Sequence, residues 1–184
     1  MAYCGSIALN KDGVSDLLYA FYHVHKKYQN LQLLLIGEVS KDEGSRLYKV
    51  ISELHLKESV NFAGYRRRDE MPELLARAKV LLLARPSSVR STTGFPSKLG
   101  EYLLTSVPVL TTSVGEIPQH LIDGTNAYIV EPDNPSKFAE KLISILDNYD
   151  NTENKEDLNK QIEEIQDIQL LSYEKALNII SFEN

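Results

Sequence analysis

The chain has 184 residues, 42% hydrophobic and 25% charged, with a net charge of −6. That is an ordinary globular composition for one domain or two small ones, and its acidic balance excludes a general nucleic-acid binder, because no positive field recruits phosphate backbones. Cys4 is the only cysteine, which excludes a disulfide framework and a cysteine-based zinc site.

The elements alternate along the chain. Tyr3 to Ile7 ("YCGSI") reads as a strand, so the chain opens inside an element, as a piece of a larger protein would. Val14, Leu17, Leu18, Phe21 and Val24 then recur at helical spacing. Leu31 to Gly37 ("LQLLLIG") is a nearly continuous apolar run, as a strand buried on both faces requires. Leu47, Val50, Ile51 and Leu54 mark a second helix, and Val60 to Gly64 ("VNFAG") a third strand. "DEMPELLARA" is a short helix with Asp69 as its expected N-cap. Lys79 to Ala84 is the fourth strand, followed by a polar loop and a helix starting near Pro96, which suits a first helical position. Pro108 to Thr112 and Ala127 to Glu131 complete the strands, with a short helix around Ile117 to Ile122 between them. Phe138, Leu142, Ile145 and Leu146 give a further helix; near Asp147 the composition turns acidic and Asn-rich. Residues 1–149 are therefore expected to form the domain, and 150–184 an acidic linker and a C-terminal helical segment packing on or near it. Six strands with intervening helices predict an α/β fold, a doubly wound, mostly parallel six-stranded sheet. No stretch approaches the ~20 apolar residues of a membrane span, and a cytoplasmic location is the default expectation.

In such sheets ligands bind beyond the carboxyl ends of the strands. The loops after Ile7, Gly37, Gly64, Ala84 and Thr112 would then surround one crevice. Lys11 lies in the first of them, as a phosphate-binding ammonium or as an exposed loop lysine. Neither a G-x-G-x-x-G fingerprint nor a Walker A sequence is present. "TGFPSKLGEYL" (Thr93 to Leu103) places Gly94 where backbone can approach a ligand, then a helix start that favours an anion. Lys98 and Glu101, three apart, share a face. Glu101 could accept both hydroxyls of a ribose, or simply pair with Lys98 on a solvated face. "YRRRDE" (Tyr65 to Glu70) reads as a solvated loop with at most one arginine turned to the crevice. His23, His25, His55 and His120 read as surface or packing residues.

These segments resemble the C-terminal, donor-binding domain of GT-B glycosyltransferases of the large retaining group 1 family, which includes many bacterial polysaccharide and lipopolysaccharide enzymes. The resemblance runs from Tyr3 to about Asn148, through "YCGSIALNKDGVSDLL", "LLLIGE", "VNFAGY" and "MPELLARAKVLLLARPS". Its most specific part is "GFPSKLGEYLLTSVPVLTTSVGEIPQHLIDGTNAYIVEPDNPSKFAEKL". It implies a Rossmann-like half that binds a nucleotide-sugar. The acceptor would be held by an N-terminal domain of the same polypeptide, absent here. It further implies that Glu101 holds the ribose hydroxyls and Lys11 the diphosphate, these two carrying the catalysis. Gly5, Ser6, Tyr65, Arg66, Pro86, Ser87, Thr93, Gly94, Phe95, Lys98 and Leu99 would complete the donor site. No metal or other cofactor is implied, since protein cations and N–H groups can stabilise the leaving diphosphate. Peripheral contact of the full-length enzyme with the inner membrane face is left open. Two positions depart from the family pattern: Thr93 stands where a glutamate eight residues before Glu101 is common, and Ser6 where an arginine is common. The competing readings are a noncatalytic nucleotide-binding or scaffold domain on the same fold, and a nucleotide-sugar epimerase.

Overall fold

The computed structural model describes residues 1–9, 13–89, 91, 96–105 and 107–151. The elements are β1 (Ala2–Cys4), α1 (Val14–His25), β2 (Leu33–Ile36), α2 (Lys41–Glu53), β3 (Val60–Gly64) and α3 (Met71–Ala76). They continue with β4 (Leu81–Leu83), α4 (Ser97–Leu103), β5 (Val109–Thr112), α5 (Ile117–His120), β6 (Tyr128–Val130) and α6 (Pro135–Asn151). The six strands form one sheet in the order β3-β2-β1-β4-β5-β6, parallel throughout. Right-handed crossovers in such an order send helices to both faces, which is the doubly wound plan. All six predicted strands are present.

Burial follows strand position. β1, β4 and β5 are buried along their whole length, whereas the edge strands β3 and β6 are largely intermediate. α1 buries Val14, Leu17, Leu18, Phe21 and Val24, the stripe its spacing predicts. α2 buries only Leu47 and Ile51. Its start is fixed by Ser40, whose Oγ accepts the Glu43 N–H at 3.3 Å. α6 packs on α1 through Phe138, Leu142, Ile145 and Leu146, all buried. Beyond that seam Lys27 Nζ donates to both oxygens of Asp147 at 2.6 and 2.8 Å, and the Tyr28 hydroxyl donates to the same carboxylate.

Several expected boundaries move. β1 ends at Cys4 rather than Ile7, because the Tyr3 ring folds over Gly5 and its hydroxyl donates to the Ser6 carbonyl at 3.0 Å. Asp69 is not the N-cap of α3. Glu70 occupies that position in a helical conformation, while Asp69 accepts from Arg67 Nε at 3.0 Å. Pro96 is the extended cap residue of α4 rather than its first helical residue, and α5 ends at His120. Residues 152–184, where the C-terminal helical segment was expected, lie outside the described residues.

Candidate functional site

The strand order reverses between β1 and β4, which run parallel and share one residue pair, Ala2 with Leu81. Beyond it the strands part, and the chain segments leaving β1, β2 and β3 are tied to one another. Gly5 N donates to Ile36 O at 2.9 Å, Ile7 N to Glu38 O at 3.2 Å, and Gly37 N to Gly64 O at 3.0 Å. The approach is so close that a Cβ on Gly37, at φ +145°, would sit 1.9 Å from the Gly5 carbonyl oxygen. Only glycine fits such a place.

A cavity of about 580 Å³ opens over these ties. Gly5 and Ser6 line it from β1, Gly37 and Glu38 from β2, Tyr65, Arg66 and Arg68 from β3, and Lys98 and Glu101 from α4. Six of the sequence-predicted donor residues thus share one cavity: Gly5, Ser6, Tyr65, Arg66, Lys98 and Glu101. Lys98 Nζ donates to Glu101 Oε2 at 3.2 Å. Glu101 therefore forms the i,i+3 pair, and the pair lines the cavity. Both side chains are a little under two-fifths exposed, so the pair is only partly screened by solvent. Tyr65, 68% exposed, offers a ring at the cavity edge.

Leu99 departs from the expectation. Its side chain is fully buried in the core with Tyr102 and Leu103, so it touches no cavity. The arginine run also differs: Arg66 and Arg68 both line the cavity, and the Arg67 side chain turns away to Asp69 while its backbone N–H donates to Glu70 Oε2. The chain turns here, with Glu70 N donating to Arg67 O at 3.1 Å, so the three arginines do not share one direction. Pro86 and Ser87 stand apart from the cavity. The Ser87 N–H is taken by both carboxylate oxygens of Asp133, at 3.2 and 3.1 Å. Lys11, Thr93, Gly94 and Phe95 lie outside the described residues. What is described of the Lys11 loop is its two ends: Leu9 N donates to Glu43 Oε2 at 3.1 Å, and a Cβ on Gly13 would meet the Ala84 carbonyl oxygen at 1.5 Å.

The cavity residues missed from the sequence include Glu38 and Arg68. Glu38 follows the glycine that ends β2, the position at which the crevice rule already points. Among the described residues no histidine lines the cavity; His25 instead shares a hydrogen bond of 3.0 Å with Ser59, and His120 ends α5. Burial pushes the Cys4 thiol at the cavity floor up, with neighbouring Lys98 opposing the shift. Three cations, Arg66, Arg68 and Lys98, face two carboxylates, Glu38 and Glu101, which leaves a positive balance for an anionic guest.

Fold and site together define a Rossmann-like domain with a cation-lined cavity at its switch point. The chain belongs to the glycosyl transferases group 1 family, whose model matches residues 1–148. It is 28% identical over 133 residues to the N-acetyl-alpha-D-glucosaminyl L-malate synthase of Bacillus anthracis, a match covering 72% of this chain and 32% of that protein. An uncharacterized glycosyltransferase of Methanocaldococcus jannaschii matches at 27% over 106 residues, 56% of this chain and 29% of the relative. The matched part is thus about a third of each curated relative's length. Among solved structures, Anabaena HepE in complex with UDP superposes with a TM-score of 0.73 at 17% identity, covering 99% of this chain and 48% of HepE. The C-terminal domain of the group 1 glycosyl transferase LpcC from Francisella tularensis gives 0.73 at 20%, covering 94% of this chain and 85% of that domain. At these identities the structures establish the fold.

Proposed function

We propose that the chain is the donor-binding half of a glycosyltransferase, which holds a nucleotide-sugar while another domain of the same polypeptide presents the acceptor. The process it serves is bacterial polysaccharide or lipopolysaccharide synthesis. The observation that carries this reading is the single cavity that gathers Gly5, Ser6, Tyr65, Arg66, Lys98 and Glu101 at the switch point. Among the described residues Lys98 engages Oε2 of Glu101, and in this reading Oε1 receives the ribose hydroxyls. Arg66, Arg68 and Lys98 supply the charge that a diphosphate needs, and Tyr65 a surface for the base. Lys11 adds a cation from the β1–α1 loop as the glycosidic bond breaks, with backbone N–H groups sharing the developing charge. HepE is described in complex with UDP and with UDP-glucose, which supports a nucleotide-sugar as the ligand class.

Because the reaction needs both walls of an interdomain cleft, the chain alone binds nucleoside diphosphate and transfers no sugar. Calorimetric titration with UDP, GDP and ADP tests this. A dissociation constant between about 10 μM and 1 mM for one of them is expected, a free energy near −4 to −7 kcal/mol. No heat with any of the three at millimolar concentration refutes it.

A further inference from the structure

Tyr102 lies one residue beyond Glu101 and points the opposite way, into the core, with none of its surface exposed. Its hydroxyl reaches the place where the sheet opens. Cys4 N donates to it at 2.6 Å, and it lies 3.4 Å from the Cys4 carbonyl oxygen and 3.5 Å from that of Leu82. Cys4 ends β1 and Leu82 lies in β4, the two strands that share only the Ala2–Leu81 pair before they part. The phenol oxygen therefore stands in for the missing ladder, accepting from one strand and giving its single proton to a carbonyl in the gap. Burial keeps that proton on, holding the hydroxyl well above the usual phenol range.

Two walls of the cavity meet at this bond. Cys4, Gly5 and Ser6 form one, and Lys98 and Glu101, on the helix that carries Tyr102, form the other. We propose that Tyr102 is a positioning residue for the nucleotide site: its hydroxyl pins the end of β1 to α4 and so sets the distance between the Gly5–Ser6 backbone and the Lys98–Glu101 pair. The inference rests on the nucleotide-binding reading above, and it adds a residue that touches no ligand.

The test uses the 184-residue chain and two variants. Tyr102→Phe removes the pin, and Tyr28→Phe, which removes the hydroxyl bonded to Asp147, controls for the loss of a structural hydrogen bond far from the cavity. Without ligand, amide exchange at Cys4 is expected to rise at least tenfold in Tyr102→Phe and to stay within twofold in Tyr28→Phe, the tenfold standing for one lost hydrogen bond of about 1.4 kcal/mol. With UDP as the probe, the dissociation constant is expected to weaken about tenfold in Tyr102→Phe and by less than twofold in the control. Unchanged Cys4 exchange overturns the pin, and equal UDP affinity in the two variants overturns the positioning role. If the unsubstituted chain binds no nucleotide, the nucleotide reading falls, while Cys4 exchange still decides the pin. Should Tyr102→Phe fail to fold, the unsubstituted chain supplies the measurement. Its slowly exchanging Tyr102 hydroxyl proton should show an NOE to the Cys4 amide, and both should shift on UDP addition together with the Glu101 amide. Absence of that NOE, or of the joint shift, overturns the proposal.

Discussion

Replacing Gly37 with alanine probes how tightly the cavity floor is built. Gly37 sits at φ +145°, and a Cβ there would lie 1.9 Å from the Gly5 carbonyl oxygen and 3.1 Å from its carbon. The shortfall from the 3.4 Å at which ordinary contact begins is about 1.5 Å. Gly5 cannot easily yield, since its N–H is bonded to Ile36, and Gly37 itself is bonded to Gly64. Backbone strain at such a φ costs about 1–3 kcal/mol. The clash adds about 1–3 kcal/mol more, and the stiffer unfolded chain returns about 0.4–1 kcal/mol. A net loss of about 1–5.6 kcal/mol should lower the urea midpoint by roughly 0.5–2.8 M, for a slope near 2 kcal/mol/M. Gly64→Ala is the internal control. Its φ of +69° lies in the left-handed well that other residues enter at lower cost, and nothing lies within 4 Å of its added Cβ. Its cost should be only the conformational one, about 0–1.5 kcal/mol after the same correction. Because Gly5 and Gly37 both line the cavity, UDP affinity should fall with Gly37→Ala and hold with Gly64→Ala. Equal urea midpoints for the two variants would refute the close-approach reasoning.

Glu101→Gln should weaken UDP binding roughly 10–100-fold, the range of a lost charge-assisted hydrogen bond, while the urea midpoint barely moves, because a half-exposed i,i+3 pair contributes little. Calorimetry beside urea melts checks both halves. Arg66→Ala and Arg68→Ala should each weaken UDP about 3–10-fold at low salt and less in 0.5 M salt, whereas Arg67→Ala should stay within about twofold. Titrations at the two salt concentrations separate the three. The Lys27 and Tyr28 hydrogen bonds hold the Asp147 carboxyl below its usual range. A depressed folded value means stability that is present above the unfolded pKa and lost as pH falls through the folded one. Asp147→Asn should therefore unfold at lower urea than the parent at pH 7, and the gap should narrow as pH falls below the ordinary aspartate range of about 3.9 toward the depressed folded value. A gap that is absent at pH 7, or that widens as pH falls below about 4, contradicts the assignment.

Much of the architecture is written locally. The apolar run Leu33 to Ile36 and the spacing of Val14, Leu17, Leu18, Phe21 and Val24 report burial on two faces or one, and burial is what makes a strand or a helix at these positions. The crevice rule and the family resemblance together reached six residues that the cavity gathers. The Leu99, Tyr102, Leu103 spacing already carried the core face of α4, and reading it as such would have kept Leu99 out of the site. Asp69 and Glu70 offer the same carboxylate chemistry to a cap, and Arg67 engages both, its side chain Asp69 and its N–H Glu70.

The sequence by itself determined which segments are strands and helices, and that Lys98 and Glu101 share a helical face, since both follow from periodicity and side-chain chemistry along a few turns. The tertiary structure alone decided the order β3-β2-β1-β4-β5-β6, the turn of the Lys98–Glu101 pair toward the cavity, and the seat of the Tyr102 hydroxyl against Cys4, 98 residues away in sequence, and Leu82, 20 away. Those features arise from contacts between segments far apart in the chain, and the energy that selects them is the burial of the whole core rather than any local preference.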